Sequence, residues 1–116
     1  MVLEEKIEEK LSAFGVAVKE LQEKPTFENA IRTEELQRGA YLSACDDAIL
    51  NYPERISSHD VWQKFKDYSL RLLESLKRVA EKPEVISRFY ANTEKRIEYM
   101  DVLKTKGIYE LNEVLK

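Results

Sequence analysis

Apolar residues recur every three or four positions through long stretches of the chain, and this spacing constrains the fold more than any other feature. Steps of three and four place side chains on one face of an α-helix, whereas a strand would alternate every second residue. The first such stretch, residues 2–23, ends at Lys24 and Pro25, because a residue before proline avoids helical backbone angles. Its apolar positions are Leu3, Ile7, Leu11, Phe14, Val18 and Leu21.

The second predicted helix has a less regular apolar face. Thr26 is a suitable N-cap, and the helix is expected to run to about residue 50. Glu34 and Arg38 stand where the period requires apolar groups, and their i, i+4 spacing predicts that they pair with each other. The alternative is a second start at Thr33, with the helix kinked or split there. The expected apolar stripe comprises Phe27, Ile31, Tyr41, Leu42, Cys45 and Ile49.

A short loop at residues 51–57 separates the first half from two further predicted helices. The third begins at the N-cap signature Ser57-x-x-Asp60 and runs to about residue 81. The fourth has Pro83 at its first position and runs to about residue 104, with Gly107 as its terminator. A short tail helix follows, with Ile108, Leu111 and Leu115 on one side. Three acid–base pairs at i, i+4 are expected to support the third helix: Asp60 with Lys64, Asp67 with Arg71, and Glu74 with Arg78.

Length and composition favour the same fold class. Three glycines and three prolines are too few for the turns of an all-β domain, and 116 residues suit a single domain. Helices of similar length joined by short connections stack against their neighbours in the chain. The sequence therefore predicts an all-α protein. We expect one domain, residues 1–116, folded as an up-down-up-down four-helix bundle with a short C-terminal fifth helix.

The motifs that catalysis requires are missing from the sequence. Di-metal sites in bundles use Glu-x-x-His, but the single histidine, His59, has no glutamate three residues before it. Glu94, Glu98 and Asp101 share one strip of the fourth helix, which we expect to meet water. Cys45 precedes two aspartates, which disfavour a thiolate, so we expect a buried small side chain. The sequence predicts a protein that is not an enzyme and holds no metal or cofactor.

Small residues on the second helix suggest close packing against another helix. They are Gly39, Ala40, Ser43, Ala44 and Ala48. This surface either packs inside the bundle or receives a partner helix or a second copy of the chain. The tail residues Ile108, Leu111 and Leu115 add an apolar strip beyond four helices, so we expect a homodimer. The favoured function is a protein–protein interaction module or a small subunit of a larger assembly.

The alternative function is a nucleic-acid-associated subunit that uses a basic face of the third and fourth helices, where cations and aromatic rings interleave. Its residues would be Lys64, Lys66, Arg71, Arg78, Arg88, Lys95 and Arg96. A net charge of −3 disfavours this alternative. There is no apolar run of the ~20 residues that a membrane span needs. The N-terminus does not resemble a signal peptide and there is one cysteine, so we expect a cytoplasmic protein.

Overall fold

The structure, a computed structural model, describes residues 3–50 and 59–116. Within these two ranges the regular structure is helical and no strand occurs, which confirms the predicted all-α class. The helices form a bundle with a short C-terminal helix, also as predicted. In chain order they are α1 Leu3–Glu23, α2 Phe27–Leu50, α3 His59–Leu76, α4 Pro83–Lys106 and α5 Ile108–Leu115.

Two of the predicted helix starts are confirmed. The Thr26 hydroxyl oxygen accepts a hydrogen bond of 3.2 Å from the backbone N–H of Asn29, which is the bond expected of an N-cap. Pro83 is the first residue of α4. The predicted cap at Ser57 and the loop at residues 51–57 lie outside the described residues.

The third helix ends earlier than predicted, at Leu76 instead of about residue 81. The backbone N–H groups of Arg78 and Val79 bond to the carbonyl oxygens of Ser75 and Leu76, which tightens the chain into a turn. Lys82 then adopts a left-handed conformation, with φ of 50°, just before α4 begins. Val79 is nevertheless buried in this turn. The apolar period therefore continues beyond the end of the helix, and for this reason it predicts a helix end that is too late.

The second helix is continuous through Glu34 and Arg38, so the alternative of a second start at Thr33 that splits the helix is wrong. The predicted pairing of these two residues is also wrong, because Glu34 is buried and bonds to Arg96 of α4 while Arg38 is exposed. The predicted apolar stripe of α2 is not its core face, since Leu42 and Ile49 are exposed. The buried residues are instead small or polar: Ala30, Thr33, Glu34, Gln37, Ala40, Ser43, Ala44 and Ala48.

The four long helices pack around one core. α1 contacts α2 and α3, α4 contacts the same two helices, and α5 lies against α4 and α2. Contact pairs show that α1 is parallel to α3, α2 is parallel to α4, and the two sets run in opposite directions. Successive helices thus alternate in direction, but α2 packs mainly against α1 and α4 instead of α3, so the up-down-up-down topology stays a prediction. Glu8–Lys64 and Gln22–Arg78 join α1 to α3, and Phe27–Phe89 and Tyr41–Tyr99 join α2 to α4. Glu20–Arg32 and Lys10–Gly39 join α1 to α2.

The centre of the core is formed by α1 and α3. Phe14 is fully buried, and its ring lies 6.0 Å from that of Phe65 and 5.9 Å from that of Tyr68, centroid to centroid. The described part of the predicted α1 stripe is buried, namely Ile7, Leu11, Phe14, Val18 and Leu21. This packing holds α2 and α4 side by side, and their outer faces carry the candidate site.

Candidate functional site

A cluster of polar side chains lies inside the bundle where α2, α3 and α4 meet. Gln37 is fully buried, and its Nε2 donates to Ser69 Oγ at 3.0 Å. Its Oε1 accepts hydrogen bonds from the Thr93 hydroxyl at 3.3 Å and from Nη1 of Arg96 at 3.1 Å. The same Nη1 donates to Glu34 Oε1 at 2.5 Å. In the described ranges every buried side-chain nitrogen and oxygen has a partner, so sliding α2 along α4 would break a satisfied network.

A groove of about 540 Å³ opens to solvent beside this cluster, between α2, α4 and α5. Its lining includes the buried Leu111 and the half-buried Tyr41 and Tyr99, whose ring centroids are 6.5 Å apart. The residues that line it are Tyr41, Leu42, Cys45, Asp46 and Ile49 from α2, Asn92, Lys95, Arg96 and Tyr99 from α4, and Ile108, Leu111, Asn112 and Leu115 from α5.

Large apolar side chains are exposed mainly at this groove and on the helices that border it. Six of the eight that remain exposed in the described part of the chain lie on the second half of α2 or on α5. Such a concentration is typical of an interaction surface, whereas single exposed apolar residues are ordinary. The six are Leu42, Ile49, Leu50, Tyr109, Val114 and Leu115.

The two long walls of the groove carry opposite charges. Asp46 lies on the α2 wall and Lys95 on the α4 wall, and both side chains are exposed. Arg96 also lines the α4 wall, but its guanidinium group bonds inward to Glu34 and Gln37. The groove therefore combines apolar and aromatic side chains with one exposed carboxylate on α2 and one exposed ammonium group on α4.

Cys45 lines the groove and is half-buried, so it is less enclosed than the buried residue predicted from the sequence. Burial raises the pKa of its thiol, the hydrogen bond with Tyr41 opposes that shift, and the charge of Asp46 adds to it. Burial also raises the pKa of Tyr41, and the neighbouring Cys45 adds to the increase. A nucleophilic cysteine needs a lowered pKa, so this thiol is poorly suited to covalent catalysis.

The small residues predicted from α2 face the chain's own helices. Ala40, Ser43, Ala44 and Ala48 are buried, and Gly39 is half-buried, with Lys10 Nζ 3.7 Å from the place where its Cβ would stand. This burial agrees with the alternative in which the line packs inside the bundle. A partner would have to dock elsewhere. In the tail, Leu111 is buried, Ile108 is half-buried and Leu115 is exposed, so the bundle covers part of the extra apolar strip.

The seven basic residues of the predicted nucleic-acid face do not form one open surface. Arg71, Arg88 and Lys95 are exposed, whereas the other four have contacts within the chain. These contacts reduce the positive charge that could face phosphates. They are Lys64 with Asp60 at 3.0 Å and Glu8 at 3.5 Å, Lys66 with Asp101 at 3.8 Å, Arg78 with the carbonyl oxygen of Gln22 at 3.0 Å, and Arg96 with Glu34.

Two of the predicted i, i+4 pairs can be compared directly with these contacts. The pair of Asp60 and Lys64 is confirmed. The predicted pair of Glu74 and Arg78 is replaced by Glu74 with Lys77, at 3.2 Å. Arg78 lies beyond the end of α3 and turns towards α1, so it no longer has helical spacing from Glu74.

The acidic strip of α4 is mostly exposed. Glu94 and Glu98 face solvent, and Asp101 accepts a hydrogen bond of 2.7 Å from the indole N–H of Trp62. Over the described residues, no group of three or more histidine, cysteine, aspartate or glutamate side chains is placed to hold a metal ion. The side chain of His59 lies outside what the structure describes.

Comparison of the chain with protein-family models, with curated proteins and with solved structures gives no match. Among the described helices, none combines the length and the apolar character needed to cross a bilayer.

Proposed function

We propose that this protein is a non-enzymatic interaction module that binds a helix of a polypeptide partner in the groove between α2, α4 and α5. The main support is that large apolar residues of α2 face solvent while small residues of the same helix face the core. Leu42 and Ile49, spaced i, i+7, line the groove with 51% and 56% of their surface exposed, while alanines of the same helix occupy the core. Burying a leucine or isoleucine side chain contributes roughly 1.5–3 kcal/mol, so this surface favours being covered.

The dimensions of the groove suit a helical occupant. It follows α2 from Tyr41 to Ile49 and α4 from Asn92 to Tyr99, which is about two helical turns, or roughly 12 Å at 1.5 Å per residue. A helix that places apolar side chains at i, i+3, i+4 and i+7 would present them along this length. Asp46 and Lys95 would then contact the polar edges of the bound helix. On the sequence alone, the single cysteine supports the cytoplasm as the compartment.

The test compares a groove variant with a matched surface variant. The immobilised full chain captures proteins from the native cell, and each captured protein is purified and titrated against wild type, Leu42→Asp/Ile49→Asp and Val16→Asp. Val16 is equally exposed but lies on α1, which contacts neither α4 nor α5 in the described residues. We expect the double variant to weaken binding by at least ~100-fold and Val16→Asp to leave it unchanged.

The proposal is wrong if the partner binds the groove variant as tightly as it binds wild type. It is also wrong if wild type at ~10 μM captures nothing that the groove variant fails to capture. Far-ultraviolet circular dichroism of all three chains checks that each variant remains folded, because these positions are exposed and tolerate polar residues.

A further inference from the structure

The groove and an apolar ridge lie side by side on the same surface. Leu42 and Ile49 form one wall of the groove, and about half of each side chain projects into solvent. A chain with only a groove would need a different molecule to supply the ridge. This chain carries both, and Leu115 of α5 extends the apolar surface on the other side.

The charges of the groove are also self-complementary. Asp46 lies on the α2 wall and Lys95 on the α4 wall. A two-fold axis that runs along the groove would place the α2 wall of each copy opposite the α4 wall of the other, so the carboxylate of each copy would face the ammonium group of the other. In such an interface a contact of residue i with residue j is always accompanied by j with i. One acidic and one basic wall therefore have the signs of charge that a second copy in this orientation would complement.

We propose that the partner in the groove is a second copy of this chain, in a two-fold dimer in which the Leu42 and Ile49 ridge of each copy lies in the groove of the other and Asp46 faces the other copy's Lys95. The inference rests on the proposed function, because it names the occupant of the same groove. A stable interface takes ~800 Å² from each copy, just over a tenth of the 6914 Å² surface of the chain.

The first experiment measures the oligomeric state of the full-length chain from ~10 nM to ~100 μM by sedimentation and light scattering. Wild type is expected to be a dimer with a dissociation constant below ~10 μM. Asp46→Lys alone and Lys95→Asp alone each place like charges in contact twice, and each is expected to weaken self-association at least tenfold. An equimolar mixture of the two variants is expected to restore the dimer as a heterodimer, because every exchanged contact then joins a lysine to an aspartate.

Controls on another face separate this contact from a general effect of charge. Glu9→Lys and Lys19→Asp make the same changes at exposed positions of α1. They are expected to leave the dissociation constant unchanged, both alone and in mixture. A mixture of the groove variants that stays monomeric overturns the proposed pairing of Asp46 with Lys95.

The second experiment uses Cys45 to locate the interface. It is the only cysteine in the sequence and lines the groove, so its alkylation by iodoacetamide reports whether the groove is open. Over the same range of wild-type concentration, the rate is expected to fall at least threefold as the dimer forms. A dimer whose Cys45 reacts at a rate independent of concentration associates through another surface, and this overturns the inference.

A wild-type chain that stays monomeric at ~100 μM also overturns the second copy as partner. That result leaves the proposed function to its own test, in which Leu42→Asp/Ile49→Asp either loses a captured heterologous protein or does not. The two proposals therefore fail in distinguishable ways.

Discussion

The ion pair of Glu34 and Arg96 allows the sharpest test of how the bundle is held together. The two side chains join α2 to α4 at 2.5 Å and are 8% and 14% exposed. Replacing Glu34 with leucine leaves the guanidinium group of Arg96 inside the bundle with Gln37 as its remaining partner. Replacing both residues with leucine removes the two charges together. We therefore expect the single variant to be much less stable than the double variant.

The size of the effect follows from this burial. Breaking a buried pair on one side costs about 3–5 kcal/mol, because a charge is left without compensation, whereas replacing both partners with apolar residues is often close to neutral. Arg96 retains its 3.1 Å bond to Gln37 and lines the groove, so the lower end applies to Glu34→Leu, about 3 kcal/mol. The double variant should lie within about 1 kcal/mol of wild type, since Gln37 keeps its bonds to Ser69 and Thr93.

Urea unfolding followed by far-ultraviolet circular dichroism gives the numbers. For m-values of ~1–3 kcal/mol per molar, a loss of about 3 kcal/mol moves the midpoint down by roughly 1–3 M. The protein concentration should be varied in each series, so that any contribution from self-association is measured separately. The four chains needed are wild type, Glu34→Leu, Arg96→Leu and the double variant.

The result that refutes this reasoning is additivity. If the effects of Glu34→Leu and Arg96→Leu add within about 0.5 kcal/mol in the double variant, the pair is not a coupled buried interaction. Arg38→Leu is the matched control, because Arg38 stands four residues after Glu34 and is exposed. Its expected effect is within about 0.5 kcal/mol of zero.

Further predictions concern three glycines and the cysteine. By urea unfolding, Gly15→Ala should destabilise by ~1–3 kcal/mol, because its Cβ would lie 2.9 Å from Tyr68 Cζ, and Tyr68→Leu should remove this penalty. Gly39→Ala meets only an ordinary contact and should raise the free energy of unfolding by ~0.5–1 kcal/mol. Gly107→Ala should cost ~1–3 kcal/mol, because φ is 91° and ψ is −178° there. The raised pKa of Cys45 means that the folded chain holds the thiol proton more tightly than the unfolded chain does. The free energy of unfolding should therefore fall as pH rises above ~8.5, and it should fall less steeply in Cys45→Ser.

The sequence predicts α1 well and α2 poorly, for a physical reason. In α1 the core positions are large and apolar apart from Ala17, so hydrophobicity alone identifies the buried face. In α2 the core positions are alanine, threonine, serine, glutamine and one glutamate. Here burial follows from small size and from satisfied hydrogen bonds, neither of which a hydrophobic stripe detects. A usable signal was present, since Ala30, Thr33, Gln37, Ala40 and Ala44 follow steps of three and four without a charge.

The groove itself lay beyond sequence reasoning. Its walls come from residues 41–49, 92–99 and 108–115, which are brought together only by the packing of α5 against α4 and α2. The apolar spacing assigns Leu42, Cys45 and Ile49 to the core, although Leu42 and Ile49 are exposed. The spacing of cations groups Lys95 and Arg96 with distant basic residues, although Arg96 bonds inward to a carboxylate of α2. The pairing of the buried Glu34 with the half-buried Arg96, 62 residues away, has no local signature.

The reversed pattern of α2 connects the fold with the proposed function. Small residues on its inner face let α2 approach its neighbours closely. Alanine buries less apolar surface than a larger side chain would, so the inner face contributes less hydrophobic stabilisation. Satisfied hydrogen bonds from Gln37 and Glu34 replace part of that stabilisation and fix the position of α2 against α4. The large apolar residues Leu42 and Ile49 are thereby left on the outer face, where a monomer buries only about half of each. A second chain that covers them would recover this burial, which is why the oligomeric state is the most informative property to measure.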